Sequence, residues 1–430
     1  MPTPQYIPQT LPWRHPFELA KMVDEQYWVL LYSGVSNDYS GRYSLLACGL
    51  KEKIRSAAFD ELAGRLSSDN EKYDNSWFGY LSYGLKNTLE NLQGDEPGWL
   101  NMPDLCMLNF SSIYQFDHYN KTLVLWSDGQ HKLQEIQRAG GHGISTVSAI
   151  HSNMTRQEYL KKAAYVIDKI HAGDLYQANL TRKFYGEFED TPDHFQVFAK
   201  LCEISPAPYS AFIRMDDSYI ISSSPELFLN ISADGNITTR PIKGTAPRGA
   251  DKISDDNLRE QLSASEKDRA ENLMIVDLMR NDLARCCVAG SVKTDSLFDV
   301  TTHATIHHLS SAISGKKLED CSTLESVKAI FPPGSMTGAP KISAMNLCSE
   351  LEKIKRGVYA GAIGWFGGDG SCDLSVVIRT LLIKDKKFEF QVGGGIVADS
   401  TPQKELDELI SKAKGILLTL GIPVSAIEEI

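Results

Sequence analysis

From Tyr209 to Leu420 strand-like and helix-like runs alternate without a regular order, and this irregular alternation is what most limits the fold. Tyr209–Arg214 and Tyr219–Ser222 read as strands, and Asn257–Leu283, Leu324–Ile330 and Ile342–Ile354 as helices. Cys372–Lys384 and Phe388–Val392 then read as strands and Pro402–Leu420 as a final helix. Nothing in this order repeats, which excludes solenoids and propellers. No G-x-G-x-x-G follows a strand, so a dinucleotide fold has no support. The reading is an α/β chain of mixed order. Upstream, residues 10–126 hold short strands such as Tyr27–Tyr32 and Leu123–Trp126. Ser127–Met154 is polar and Gly-rich and reads as a linker or long loop. Thr155–Gly173 reads as a helix, with Thr155 and Glu158 as a capping box and Gly173 as the stop. The expected division is an N-terminal region 1–126, a connecting stretch 127–154 and a region 155–424, intertwined in one globular unit.

At 430 residues the chain can bury a large core without staples. A net charge of −11 disfavours nucleic acid as a partner, since that binding depends on neutralising phosphates. No run approaches ~18 apolar residues, so no membrane span is expected. The opening MPTPQYIPQTLPWRHP lacks the basic and apolar segments of a secretory signal. The eight cysteines fit neither a zinc nor a disulfide pattern and read as free thiols of a cytoplasmic protein.

Four places concentrate chemistry. If Gln403–Gly415 is helical, Glu405, Glu408 and Lys412 share a face opposite Leu406, Leu409 and Ala413. Alone, that reads as a solvated face. The preceding Gly393-Gly394-Gly395, placed between strand and helix, instead suggests backbone N–H groups near an anion. Carboxylates beside such a loop suit Mg²⁺. In SEKDRAENLMIVDLMRNDL, Glu271 is a candidate ligand, while Asp277 and Arg280 read as structural; an internal salt-bridge network is the alternative. FPPGSMTGAPK has the wrong spacing for a P-loop, and Pro340 removes an N–H, so it reads as a carboxylate-binding loop. Lys243, in RPIKGTAPRG, is a surface residue or a nucleophile. The second role needs a neutral amine, costing about 4.6 kcal/mol at pH 7 unless burial or a metal ion lowers its pKa. Glu226, in SPELF, is its natural acid partner. His308 alone is a weak signal. Arg379, inside SVVIRTLLI, needs an anion such as a substrate carboxylate.

Taken in order, SPELF, PIKGT, AENLMIVDLMRNDL, HHLSS, FPPGSMTGAPK, IRTL and GGGIVADS resemble the chorismate-utilising enzymes. That family includes anthranilate, aminodeoxychorismate, isochorismate and salicylate synthases. The motifs are dense over about 155–420, and TLPWR and LLYSG extend the likeness toward the N-terminus. PIKGT resembles the aminodeoxychorismate branch, whose relatives elsewhere carry a small residue in place of Lys243. The isochorismate and salicylate branch has a water-activating Lys where this chain has Gln177, which implies ammonia as the nucleophile.

The resemblance implies two packed antiparallel sheets in a sandwich with helices outside, an α+β variant of the α/β class. It implies Mg²⁺ held by Glu271 and Glu408 with Glu405 in support. Gly393, Gly394 and Gly395 would hold the ring carboxylate of chorismate, and Arg379 with Tyr359 the enolpyruvyl carboxylate. Lys243 would attack C2 while Glu226 protonates the C4 hydroxyl. His308 would assist, and Lys412, Thr337 and Gln177 would line the site. No cysteine sits in a glutaminase context, so ammonia would be free or supplied by a glutamine amidotransferase subunit (component II), for 4-aminobenzoate and folate synthesis. The alternatives are anthranilate synthase component I and a catalytically silent chorismate-binding subunit. The family's G-A-P-K-V-R-A-M has Ile342 and Ser343 here, so any contact of that Arg is lost. Some relatives hold tryptophan in the N-terminal half, where Trp13, Ser33 and Tyr43 stand here, with Ser40 and Gly41 as departures.

Overall fold

The computed structural model describes residues 6–430, apart from 36–39, 67–69, 93–95, 130–132, 134–142, 303–305 and 429. Among the described residues twenty strands join in one continuous antiparallel ladder, which folds into two layers. One layer runs Val147–Ser152, Gln177–Phe188, Lys387–Ile396, Thr380–Lys384, Ser218–Ser224, Tyr209–Met215 and Tyr27–Tyr32. It continues through the long strands Tyr43–Ser56 and Leu105–Asp117. The far half of that antiparallel pair belongs to the second layer, where Trp77–Leu81, Ala362–Phe366, Cys372–Val376, Leu227–Ile231, Asn236–Arg240 and Ile306–Lys316 follow. Strands from both ends of the sequence therefore pair directly, as Tyr27–Tyr32 does with Tyr209–Met215.

Three hydrophobic clusters show the layering. Val29, Ile213 and Ile220 of one sheet meet Phe78, Ile363 and Trp365 of the other in the central cluster. The outer face of the first sheet packs Trp28, Phe212 and Phe390 against the helices Arg156–His171, His194–Ile204 and Pro402–Leu420. The outer face of the second packs Phe228 and Leu374 against Glu266–Ala284 and Thr323–Ile330. This is the expected sandwich with helices outside: each sheet has two apolar faces, so each must be covered twice.

Local chemistry explains the elements. Thr155 caps the Arg156–His171 helix in a reciprocal capping box with Glu158, as expected. Four sequence expectations need correction. The run Asn257–Leu283 is two helices, Lys252–Ala264 and Glu266–Ala284, because Ser265 leaves helical geometry and its hydroxyl caps Asp268 N. The run Cys372–Lys384 is two strands in different layers, parted at Val377–Arg379, where Arg379 takes φ 50°. Val147–Ser152, inside the stretch read as a loop, is an edge strand on Gln177–Phe188. Residues 130–132 and 134–142 of that stretch lie outside the described residues. Gly393–Gly395 is not a loop but the end of a strand, in register with Asn179–Thr181.

Candidate active site

The chain crosses from one layer to the other at two short connections on the same end of the sandwich. Pro225-Glu226 joins Ser218–Ser224 to Leu227–Ile231, and Val377–Arg379 joins Cys372–Val376 to Thr380–Lys384. Residues in such crossovers leave the ladder, and here Glu226 and Arg379 line a cavity of about 350 Å³. Arg379 reaches it from a left-handed backbone, a conformation that costs a non-glycine residue about 1–2 kcal/mol and that the flanking strands impose. Lys243 enters from the strand Ile242–Pro247, Glu271 from Glu266–Ala284, and Glu408 and Lys412 from Pro402–Leu420. Gly393 and Gly395 form the floor.

The glycines are needed for approach rather than for unusual backbone angles. A Cβ on Gly395 would lie 2.2 Å from Gln177 Nε2 and 3.2 Å from Lys243 Nζ. On Gly393 it would lie 2.6 Å from Thr181 Cγ2, and on Gly394 3.0 Å from Glu405 Oε2. Side chains would therefore collide with any wall larger than glycine.

Burial governs the electrostatics. The Lys243 amine is enclosed and its pKa falls, first through desolvation, although Glu271 opposes the fall. Its hydrogen bond runs to Ser335 O at 3.3 Å, and no carboxylate pairs with it within ion-pair range among the described residues. Glu226 is raised to about 7 by burial, against a hydrogen bond from Ser335 and the nearby Lys243. Burial also lowers Arg379 to about 10 and raises Tyr359. Arg379 Nη2 lies 3.4 Å from His308 Nε2. Glu271 and Glu405 are raised by desolvation, with Glu408 adding to both. Glu408 stands on the rim. Burial pushes its pKa up, but Lys412 at 2.7 Å, with Lys243 and Lys267, brings it below the usual carboxylate range. Lys412 also donates to Gly393 O.

Most of the sequence-predicted set converges here: Glu226, Lys243, Glu271, His308, Tyr359, Arg379, Gly393, Gly395, Glu408 and Lys412. Gln177, Gly394 and Glu405 stand just behind this lining. Thr337 does not line the cavity. It is buried, and its hydroxyl donates to Gly334 O to close the 334–337 turn, which leaves Ser335 and Met336 facing the cavity. Sequence reasoning missed Asn179, Lys267 and Gln391. Lys267 was legible, one helical turn before Glu271. Gln391 had no signal beyond its place two residues before the glycines.

A divalent cation fits this donor set. Glu405 Oε2 is buried without a hydrogen-bond partner, and it and Glu408 both face Gly394. Hard carboxylate oxygens are the ligands that Mg²⁺ selects. Among the described residues no three His, Cys, Asp or Glu side chains are gathered tightly enough to enclose an ion alone.

Ser33 and Tyr43 border a second cavity of about 600 Å³ between the layers, which Ser40, Gly41, Trp365 and Asp373 also line. Burial pushes Asp373 up to about 6. Trp13 is not there; it packs edge-on to Phe116 and His118.

The family model for chorismate binding enzymes matches residues 23–418. Aminodeoxychorismate synthase component 1 of Salmonella typhimurium is 39% identical over 344 residues, covering 79% of this chain and 75% of that protein. The Escherichia coli protein of the same name is 38% identical, covering 80% and 76%. Anthranilate synthase component 1 of Saccharolobus solfataricus is 32% identical, covering 95% and 97%. The crystal structure of anthranilate synthase component I from Streptococcus pneumoniae superposes with a TM-score of 0.78 at 27% identity, covering 89% and 93%. No helix among the described residues is long and apolar enough to cross a membrane.

Proposed function

The chain belongs to the chorismate-binding enzyme family, and from that premise we propose that it aminates chorismate at C4 to 4-amino-4-deoxychorismate. The observation that carries this reading is the enclosed Lys243 amine, lowered in pKa and lacking an ion-pair partner, in one cavity with Glu226 raised to about 7. An amine shifted toward its neutral form beside a carboxyl that still holds a proton near pH 7 is the pairing that nucleophilic displacement of a hydroxyl needs.

Arg379 and Tyr359 bind the enolpyruvyl carboxylate, and the glycine floor with Lys412 receives the ring carboxylate. Glu271 and Glu408, supported by Glu405, would hold Mg²⁺, which when bound supplies positive charge to that carboxylate. Lys243 Nζ forms a bond to C2, the two conjugated ring double bonds both shift (C1=C2 to C1=C6 and C5=C6 to C4=C5), and the C4–O bond breaks. Glu226 protonates the departing hydroxyl, which leaves as water, and takes up the proton Lys243 has shed. Ammonia then bonds to C4, both double bonds shift back, and the C2–N bond breaks. Glu226 returns a proton to Lys243 and receives one from the new amine. His308, beside Arg379, positions the guanidinium.

The names of the component 1 relatives support a separate amidotransferase partner as the ammonia source, and a place in 4-aminobenzoate and folate synthesis. The second cavity would take an amino acid such as tryptophan at Ser33 and Tyr43. The test is mass spectrometry of the product from purified protein with chorismate, Mg²⁺ and ammonium chloride, with an aminodeoxychorismate lyase in a parallel tube. A lyase-dependent 4-aminobenzoate signal is expected. Anthranilate with free pyruvate would overturn the reading in favour of anthranilate synthase chemistry.

A further inference from the structure

Gln391 is a buried amide that the mechanism above leaves unused. It lies on the strand Lys387–Ile396, two and four residues before Gly393 and Gly395, so all three side-chain positions share one face. It is 1% exposed and lines the active cavity. Its Nε2 donates to Thr181 Oγ1 at 2.5 Å, behind the cavity wall. Its Oε1 is buried with no hydrogen-bond partner. Leaving a buried acceptor unsatisfied costs about 1–3 kcal/mol, so such an atom in a cavity wall marks a place for a donor.

Most other polar groups of the cavity wall have work assigned to them. Lys412, Arg379 and Tyr359 face the two carboxylates, and Glu271 and Glu408 suit a cation. Lys243 and Glu226 exchange protons, Ser335 is bonded to both of them, and Asn179 Nδ2 donates to Met336 O. Gln177 Oε1, also unpartnered, stands behind the lining, whereas Gln391 Oε1 is a neutral acceptor in the lining with no such work. It would repel a carboxylate and suits a small neutral donor, and ammonia is the one co-substrate of that kind. The amide is also fixed. Thr181 N donates to Glu352 Oε1, which is held in turn by Arg356 Nη2 at 2.7 Å, so the wall behind Gln391 cannot turn to satisfy it.

We propose that Gln391 is the hydrogen-bond acceptor that seats the incoming ammonia, an inference that rests on the amination reading. The seat holds NH₃ through one N–H and leaves the nitrogen lone pair free to attack C4. Because it accepts only, it also disfavours a second substrate carboxylate entering in the same place.

The test is steady-state kinetics with ammonium chloride as the nitrogen source, expressed per free NH₃. Gln391→Leu removes the acceptor at similar volume and is expected to raise KM for ammonia about tenfold, the loss of one hydrogen bond. KM for chorismate and kcat at saturating ammonia stay near the parent values. Thr181→Val frees the amide to turn and is expected to shift KM for ammonia the same way by less. If Gln391→Leu folds poorly by melting temperature, Gln391→Ser, which keeps a shorter acceptor, replaces it with a smaller rise expected. A rise in KM for chorismate with that for ammonia unchanged would overturn the proposal and make Gln391 a carboxylate ligand. Unchanged values for both would overturn it too. If the parent protein makes no aminodeoxychorismate from ammonium chloride, the amination reading itself fails, a result distinct from either.

Discussion

Two sets of buried lysines and glutamates lie along one strand face, and they are built in opposite ways. At one end Lys183 and Glu389 pair at 2.9 Å, Lys183 also bonds Lys355 O, and Glu389 also accepts from Leu100 N. Beside them Arg356 grips Glu352 with two bonds and spends its other donors on Met336 O and Asn179 O. Every charge there has an opposite charge in direct contact. At the other end, beside Gly395, Lys243 has among the described residues only a 3.3 Å bond to a carbonyl, and Glu226 is raised to about 7. Saturated buried ions have one stable state and therefore hold structure. Unsaturated ones lie near a change of protonation and therefore do chemistry. Glu389, Gln391, Gly393 and Gly395 mark the gradient along a single strand, from full ion pair through half-satisfied amide to bare floor.

The contrast can be broken first at its reactive end. Lys243→Ala is expected to reduce aminodeoxychorismate formation to background in a product mass assay while urea unfolding stays cooperative. Glu226→Gln comes next, with kcat lower by about 10²–10⁴-fold. On the proposed mechanism Glu226 acts protonated, so at fixed free NH₃ the kcat of the parent is expected to fall as pH rises through about 7. The Gln variant should lack that limb, and a parent profile flat across it would count against Glu226 as the acid. At the saturated end the readout changes from rate to stability. Arg356→Leu strands Glu352 and should cost about 3–5 kcal/mol in urea unfolding; a small loss there would mean the pair is not the brace described. Glu405→Gln acts behind the rim and should raise the Mg²⁺ needed for half-maximal activity by about tenfold. Smallest is Asp117→Asn, which breaks a rim ion pair with half-exposed Arg42. It should leave kcat unchanged and the melting temperature nearly so.

What could be read from the chain follows the range of the forces involved. Short-range signals were legible: the capping box at Thr155, the amphipathic Pro402–Leu420 helix, the absence of a nucleotide loop, and the motifs that resemble chorismate enzymes. The resemblance they carry also named ten residues that the cavity gathers. The tertiary structure alone decided the rest. Arg379 reads locally as part of one strand, but Cys372–Val376 and Thr380–Lys384 belong to different layers, so the residue between them turns into the gap. Gly393–Gly395 reads as a loop, but pairing with Asn179–Thr181 makes it strand, and the glycines answer to side chains more than 150 positions away. Thr337 reads as a ligand, but the turn it closes carries it behind Ser335 and Met336. A sequence by itself determines propensity, pattern and capping, because those depend on neighbours a few residues apart. Which side chain is enclosed without an opposite charge depends on contacts between distant segments, and that property separates Lys243 from the ion-paired Lys183.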